Sequence, residues 1–403
     1  MKLSQLKRNF RSQHRGISRI VLIVAVVAVV AVIGVGAIVG LYANKLGLGG
    51  ATSTSKQQVT LNGAGSTLVY PLMSAWTYNY TVLNPNVRIN YASVGSGAGI
   101  TQIEAKLVDF GASDAPLNAN QYQALTGGNV SLGGILQIPE VAGAIVPAYN
   151  LPGIGTGLNF SGEVLANIYL GKITMWNDPA IQALNPSVQL PNETIFVVHR
   201  SDGSGTTFVW TDYLSQVSQA WNHTGQIGTS ISWPLGVTGL GAKGSEGVSG
   251  VIQGNQYSIG YMESAYATID KLTYGQVENA AGNFLLGNAT TAAAAVSAAA
   301  SEPLPLGQQS WVNVSIVNRV AHNATVTGAY PITTFTYLMV YPVQTDQARG
   351  QALANFLWWI VNDAQSGVTK LGYVPLPPSV VAIDDASIKL IKYNGQPLIT
   401  SAS

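Results

Sequence analysis

From residue 59 onward, apolar and polar positions alternate between short runs of strand period and longer runs of helical period. Val59-Thr60-Leu61 is a short apolar strand pattern leading through Asn62-Gly63-Ala64-Gly65-Ser66-Thr67-Leu68 into a helical segment that reaches about Tyr80. Val87 to Tyr91 alternates as a second strand, Ser93-Val94-Gly95-Ser96-Gly97-Ala98-Gly99 forms the turn after it, and Ile100 to Leu107 has helical spacing. Val108-Asp109-Phe110-Gly111-Ala112-Ser113-Asp114 reads as a short buried strand that ends in a carboxylate. Gln137 to Tyr149 is strongly apolar and predicts a buried strand passing from one lobe to another. Phe160 to Trp176 contains a helix with a glycine stop, and Ile195 to Val198 is a strand. It feeds the turn Arg200–Thr207, after which Phe208 to Val217 runs on as a helix. Farther on come an alanine-rich helix over Asn288 to Ser301, expected at the periphery, and a second β-rich run over Pro331 to Val343. Gln347 to Asn362 is helical, with Trp358 and Trp359 expected in the core, and the tail Leu371 to Pro378 and Ala382 to Ile399 returns to the first lobe. Strands alternating with helices, with functional turns at strand ends, predict an α/β fold whose ligand gathers outside the carboxyl ends of parallel strands.

The first 58 residues follow another pattern. Residues 1–19 are a basic segment carrying Lys2, Lys7, Arg8, Arg11, Arg15 and Arg19, and Ile20 to Ala43 is uncharged. At roughly 20 residues per bilayer crossing, 20–43 predicts a transmembrane or signal-anchor helix. Its basic flank keeps the N-terminus in the cytoplasm and sends the rest outside. Arg15-Gly16-Ile17-Ser18 resembles a type IV pilin-like (class III) signal, in which processing after Gly16 would keep the apolar helix. Residues 44–58, rich in Gly, Ser and Thr, read as a flexible linker. Eight Asn-x-Ser/Thr sequons follow, at Asn79, Asn129, Asn159, Asn192, Asn222, Asn288, Asn313 and Asn323, in keeping with an external location.

Composition narrows the chemistry. The chain has 403 residues, no cysteine and four histidines without metal-ligand spacing, so thiol catalysis and a zinc site are disfavoured. The net charge of +1 hides an asymmetry: residues 1–57 hold eight Lys or Arg and no acid, leaving eleven basic against eighteen acidic residues beyond, a net of −7. A nucleic-acid partner is disfavoured by that acidic body. Neither a Gly-x-Ser-x-Gly elbow nor a cluster of carboxylates supports an enzyme, and no catalytic residue, cofactor or metal is expected. Gly239-Leu240-Gly241-Ala242-Lys243-Gly244 fits the spelling of a dinucleotide fingerprint but lacks a preceding strand and an acidic partner, so that reading is rejected.

What remains is anion chemistry. The stretch Arg200-Ser201-Asp202-Gly203-Ser204-Gly205-Thr206-Thr207 sets a guanidinium, small hydroxyls and two glycines at a helix start. There unpaired N–H groups and the helix dipole favour an oxyanion. Arginine offers a planar fork matched to two oxygens, and Asp202 can hold it. Taken singly, each residue has a plainer alternative: Thr67 and Ser96 as helix caps, Asp114 as a turn residue, Arg200 as a surface ion pair.

Three turns, Gly63–Leu68, Ser93–Ile100 and Arg200–Thr207, together with Asp109–Pro116, resemble the periplasmic phosphate-binding protein of the high-affinity phosphate ABC importer. The likeness runs from about Leu61 to about Pro378 and takes in Ile168–Ile173 with Trp176, Gly241–Gly244 and Ile259–Tyr261. The resemblance implies an α/β two-lobed clamshell with crossing hinge strands, here following one N-terminal transmembrane helix. Residues 59–138 and 331–403 would form lobe 1 and residues 139–330 lobe 2. It implies a non-enzymatic receptor that captures inorganic phosphate between the lobes and delivers it to the importer's membrane permease. By matching motif positions, Thr67 hydroxyl, Leu68 N–H, Ser96 and Asp114 would bind from the first lobe. Arg200, Ser204, Gly205 N–H and Thr206 would bind from the second, with Asp202 partnering Arg200. The family usually has Phe at the position of Leu68 and often Arg at that of His199; Leu68 would act through its backbone, while a flanking charge at His199 is in doubt. Asp114 suits such a site because an acceptor-only group accepts the proton that phosphate carries near neutral pH and opposes sulfate, which has none.

Overall fold

The computed structural model describes residues 58–127, 134–234 and 239–400. The predicted basic segment, apolar span and nearly all of the linker lie outside these; among the described residues no helix is long and apolar enough to cross a membrane.

β1 (Val59–Gly65) and β2 (Val87–Ser93) pair in parallel from Val59 opposite Val87 to Gly65 opposite Ser93, joined by helix α1 (Tyr70–Leu83). Pro71 suits the first turn of α1, where its missing N–H has no partner to lose, and Leu72, Met73, Trp76 and Tyr80 bury one face. Helix α2 (Ser96–Glu104) returns the chain to β3 (Phe110–Ser113), on the other side of β1. The helix therefore begins at Ser96, four residues before the apolar spacing signals it, because the glycine turn is itself wound into the first helical turn. That turn packs closely: a Cβ on Gly99 would lie 2.5 Å from the Gly65 Cα.

β4 (Leu136–Asn150) is buried along all but its last residue. Beyond it come α3 (Gly162–Tyr169), β5 (Phe196–Arg200), α4 (Gly205–Val217), β6 (Gly239–Ala242), α5 (Gly244–Gly254), β7 (Ser258–Glu263), α6 (Ala289–Ala300), β8 (Thr333–Val340), α7 (Gln347–Val361) and α8 (Pro378–Ile388). Among the described residues nine strands form one sheet in the order β2-β1-β3-β8-β4-β7-β5-β6, with Thr273–Tyr274 added on β4. The first half of β4 pairs antiparallel with β8, and its second half, Ile145–Asn150, pairs antiparallel with β7. One continuous strand thus connects two parallel groups, β2-β1-β3 and β7-β5-β6, which are the sheets of the two lobes.

Two expectations change. The alanine-rich helix α6 is not peripheral: Ala292, Ala295, Val296 and Ala299 are buried against β4 and β8, since small side chains let a helix lie close to a sheet. The rejection of a dinucleotide fingerprint stands, since Gly239–Ala242 is itself an edge strand, followed by a helix from Gly244, and its glycines do not form the turn after a strand. Trp358 and Trp359 lie half-buried at the rim of the core, where Trp359 packs on Tyr80 at 5.4 Å between centroids and Lys389 Nζ sits 5.4 Å from the Trp358 ring. The tail does return to the sheet: Val374 and Ala142 on β4 exchange backbone hydrogen bonds of 2.8 and 3.0 Å.

Candidate functional site

Six strands deliver polar residues at their carboxyl ends. β1 runs into Ser66 and Thr67, β2 into Ser96 and β3 into Asp114; β5 runs into Arg200 through Thr206, β6 into Gly244 and Ser245, and β7 ends on Glu263. Both groups of parallel strands aim these ends at the same place, so residues far apart in sequence meet. Thr67, Leu68, Ser96, Asp114, Arg200, Ser204 and Thr206 are all buried there, Asp114 to 1 % exposure and Arg200 to 5 %.

On the first lobe, Asp114 is the centre. Ser66 Oγ donates to Asp114 Oδ1, Ser96 Oγ donates to Oδ2 at 3.3 Å, and the Asp114 amide donates back to Ser96 Oγ at 3.2 Å. Burial raises the Asp114 carboxyl to about 6, against the lowering effect of Ser66, Arg200, Ser96 and Thr206. Gly65 reaches this turn at φ +145°, where any Cβ would run into the Ala112 carbonyl, so the strand end can turn this tightly only with glycine.

Across from it, α4 presents its first turn. Ser204 is its N-cap, with Oγ accepting from the Thr207 amide at 3.1 Å. The amides of Gly205 and Thr206 belong to the set that has no partner within a helix, and the helix dipole favours negative charge in front of them. Gly205 is pressed against the opposite lobe: a Cβ there would fall 2.6 Å from Asp114 Cβ and 2.7 Å from Ser96 Oγ. The Thr206 hydroxyl faces Asp114 closely enough to favour the carboxylate, in a geometry short of a hydrogen bond, which leaves its buried Oγ1 without a partner among the described residues. A backbone bond from the Gly97 amide to the Gly203 carbonyl, 2.9 Å, joins the two turns directly.

Arg200 is held as a fork. Its Nε donates to Asp202 Oδ1 at 2.7 Å and Nη2 to Oδ2 at 2.5 Å, and the Gly244 amide donates to Oδ1 at 3.1 Å. Burial lowers the guanidinium and Asp202 more than restores it; Asp202, raised by its own burial, is held below the usual carboxylate range by Arg200. Nη1 is left to face Ser245 Oγ at 3.5 Å.

All nine sequence-predicted residues are thus in one cluster, with two refinements. Ser204 has a capping role as well as its place in the site, and Thr67 is not a cap: the N-cap of α1 is Val69, while Thr67 Oγ1 lies 2.9 Å from Ser245 Oγ and accepts from the Ser245 amide at 3.2 Å. Leu68 is fully buried, its carbonyl accepting from Tyr373 Oη at 2.6 Å. His199 lies outside the cluster. It packs on Trp233 at 4.8 Å, its Nδ1 is 3.0 Å from the Arg200 carbonyl, and burial lowers its pKa, so it adds no flanking charge.

Sequence reasoning missed Ser66, Ser245 and Glu263. Glu263 was findable by the signal that marked Asp114, a lone acid closing an apolar strand, here Ile259-Gly260-Tyr261-Met262-Glu263. Ser66 and Ser245 carry no signal that separates them from other serines of glycine turns. Among the described residues no group of His, Cys, Asp or Glu could hold a metal ion.

Two lobes around one bridging strand, with polar strand ends converging between them, define a binding protein of the PBP superfamily, whose domain model matches residues 50–364. Within it the chain belongs to the phosphate-binding protein PstS family. It is 42 % identical over 326 residues to phosphate-binding protein PstS of Xylella fastidiosa strain Temecula1, covering 81 % of this chain and 84 % of that protein. It is 40 % identical over 329 residues to PstS of Pasteurella multocida, covering 81 % and 88 %. The same fold occurs in a solved structure of a phosphate-binding protein from Stenotrophomonas maltophilia, with a TM-score of 0.63 at 17 % identity over 82 % of this chain and 94 % of that one.

Proposed function

We propose that this chain is an extracytoplasmic receptor that takes up inorganic phosphate between its lobes and delivers it to the membrane permease of an ABC importer. The observation that carries the reading is the buried meeting of Asp114 with the α4 N-terminus and the Arg200 fork. In this reading the Thr67, Ser204 and Thr206 hydroxyls, the Leu68 and Gly205 amides and Arg200 donate to the anion, Ser96 turns its proton from Asp114 to the anion, Asp202 orients Arg200, and Asp114 accepts the proton that phosphate carries. Because each lobe supplies half of the contacts, ligand stabilises the closed arrangement. Calorimetric titration tests this: tight binding of phosphate with sulfate bound far more weakly is expected, and no heat with phosphate, or equal affinity for the two, refutes it.

The receptor is tethered by residues 20–43, through the linker 44–58, to the outer face of the cytoplasmic membrane. The uncharged length of that run and its basic flank support this. Mass spectrometry of the mature protein distinguishes the routes: a terminus at Ile17 is the pilin-like processing, whereas an intact Met1 removes that idea. Of the sequon asparagines, Asn79, Asn192, Asn222, Asn288 and Asn313 are exposed and suited to glycans, which the same spectra would register as added mass.

A further inference from the structure

Behind Thr67 runs a chain of hydroxyls that ends on a buried acid. Ser245 Oγ lies 2.9 Å from Thr67 Oγ1 and 3.2 Å from Glu263 Oε2, and Arg200 Nη1 approaches the same Oγ at 3.5 Å. Thr67 Oγ1 already accepts from the Ser245 amide. Glu263 is 1 % exposed, its Oε1 has no hydrogen-bond partner, and no ion pair reaches it among the described residues. The cation in reach, Arg200, has two of its nitrogens on Asp202.

Each hydroxyl has one proton, so the state of Glu263 sets the direction of the whole chain. If Glu263 is a carboxylate, Ser245 must donate to it, Thr67 must donate to Ser245, and the Thr67 proton is consumed inside the protein. If Glu263 is a carboxylic acid, it donates to Ser245 and Ser245 donates to Thr67. Ser245 Oγ then accepts twice and donates once, with every site used, and the Thr67 proton is free.

We propose that Glu263 is a positioning residue that, held as a neutral acid, drives the relay Glu263 to Ser245 to Thr67 and so aims the Thr67 proton at the bound oxyanion. The inference rests on the phosphate-receptor reading and extends it to a residue behind the site. Burial favours the acid: it raises Glu263 to about 8, with Asp114 adding to the rise and its own backbone amide, Ser245 and Arg200 opposing it. The other groups around it do not compete. Tyr266 and Tyr373 are both raised far above the working range by burial, and Asp114 titrates lower, near 6. A carboxylate at Glu263 would also place a second negative charge beside the ligand.

The test is calorimetric titration with inorganic phosphate of wild type and Glu263→Gln at pH 6.5, 8 and 9.5, with a thermal melt of each to confirm folding. Glutamine is isosteric and can donate to Ser245 at every pH. The ionisation of phosphate itself affects both proteins alike, so the ratio of their affinities isolates Glu263, whatever the absolute affinity of the variant. Wild type should weaken at least tenfold relative to Glu263→Gln between pH 6.5 and 9.5, the scale of a lost hydrogen bond to a charged group. A constant ratio overturns the relay. Ser245→Ala provides a second reading if the glutamine variant fails to fold: it cuts the relay and should remove the same share of the pH dependence, and a wild-type slope in Ser245→Ala overturns the proposal equally. Absence of phosphate binding by wild type at every pH would refute the receptor reading instead.

Discussion

Glu140→Gln should make the protein markedly less sensitive to pH. Glu140 stands at an irregularity of the bridging ladder: Thr336 on β8 pairs with Val141 and Tyr337 with Pro139, so no residue lies opposite it. The side chain is fully buried, with Oε1 accepting from Thr336 Oγ1 at 2.6 Å and Oε2 left without a partner among the described residues. Burial raises its pKa from 4.5 to about 8, with Thr336 opposing and Asp114 adding to the rise. The folded carboxyl therefore holds its proton more tightly than the unfolded one, unfolding releases a proton between those values, and stability falls as pH rises through that window. At 1.36 kcal/mol per unit the full effect is on the order of 5 kcal/mol, most of which falls between pH 5 and pH 8. Glutamine has the same shape and no charge to desolvate. Urea unfolding of both proteins at pH 5 and pH 8 measures the difference, in which the contributions of buried acids not coupled to Glu140 cancel. Wild type should lose several kcal/mol more than Glu140→Gln over that interval. Parallel losses in the two proteins would show that Glu140 is ionised in the folded state and would refute the argument from burial.

Three further outcomes follow from the same geometry. Asp114→Asn, which replaces an acceptor by a group that also donates, should lower the phosphate-over-sulfate affinity ratio about tenfold or more in calorimetry, and an unchanged ratio would remove the discriminating role of Asp114. Gly205→Ala sets a methyl group 2.6 Å from Asp114 Cβ on the other lobe; it should weaken phosphate binding about a hundredfold, the scale of a 1–3 kcal/mol overpacking cost, with little change in melting temperature, and wild-type affinity would mean that the lobes do not come this close around ligand. Trp210→Ala removes a fully buried ring that stacks on Tyr261 at 5.2 Å; urea unfolding should show a loss of about 3–5 kcal/mol, and a loss under 1 kcal/mol would count against its place in the core.

The parts of the fold legible in the sequence were those with a local cause. The alternation of Val87 to Tyr91 and the apolar run Gln137 to Tyr149 each became a strand, and the glycine stop after Tyr169 is a left-handed residue, Gly171 at φ 69°. Boundaries slipped where two signals overlapped, as at Ser96, whose glycine-rich surroundings look like a turn while the backbone is already helical. The alanine-rich helix α6 was misplaced because a stripe of small residues looks the same whether it faces water or lies close on a sheet. Among the polar residues, Asp114 and Arg200 were visible because charge at the end of an apolar strand is costly without a purpose. Glu140 had the same signature within its apolar run, and Ser66 and Ser245 had none.

The sequence by itself determined the periodic elements, the glycine turns, the acidic body behind a basic N-terminus, and which side chains have the chemistry to hold an oxyanion. Those properties depend on neighbours a few residues away, and the chain carries them whatever it folds into. Only the tertiary structure decided that β4 would bridge two parallel groups and bring their strand ends together, placing Thr67 beside Ser245 and Gly205 against Asp114. It also decided the ionisation of Asp114, Glu140 and Glu263, because the cost of a charge is set by how much water the surrounding strands exclude, and that exclusion exists only once the sheet is assembled.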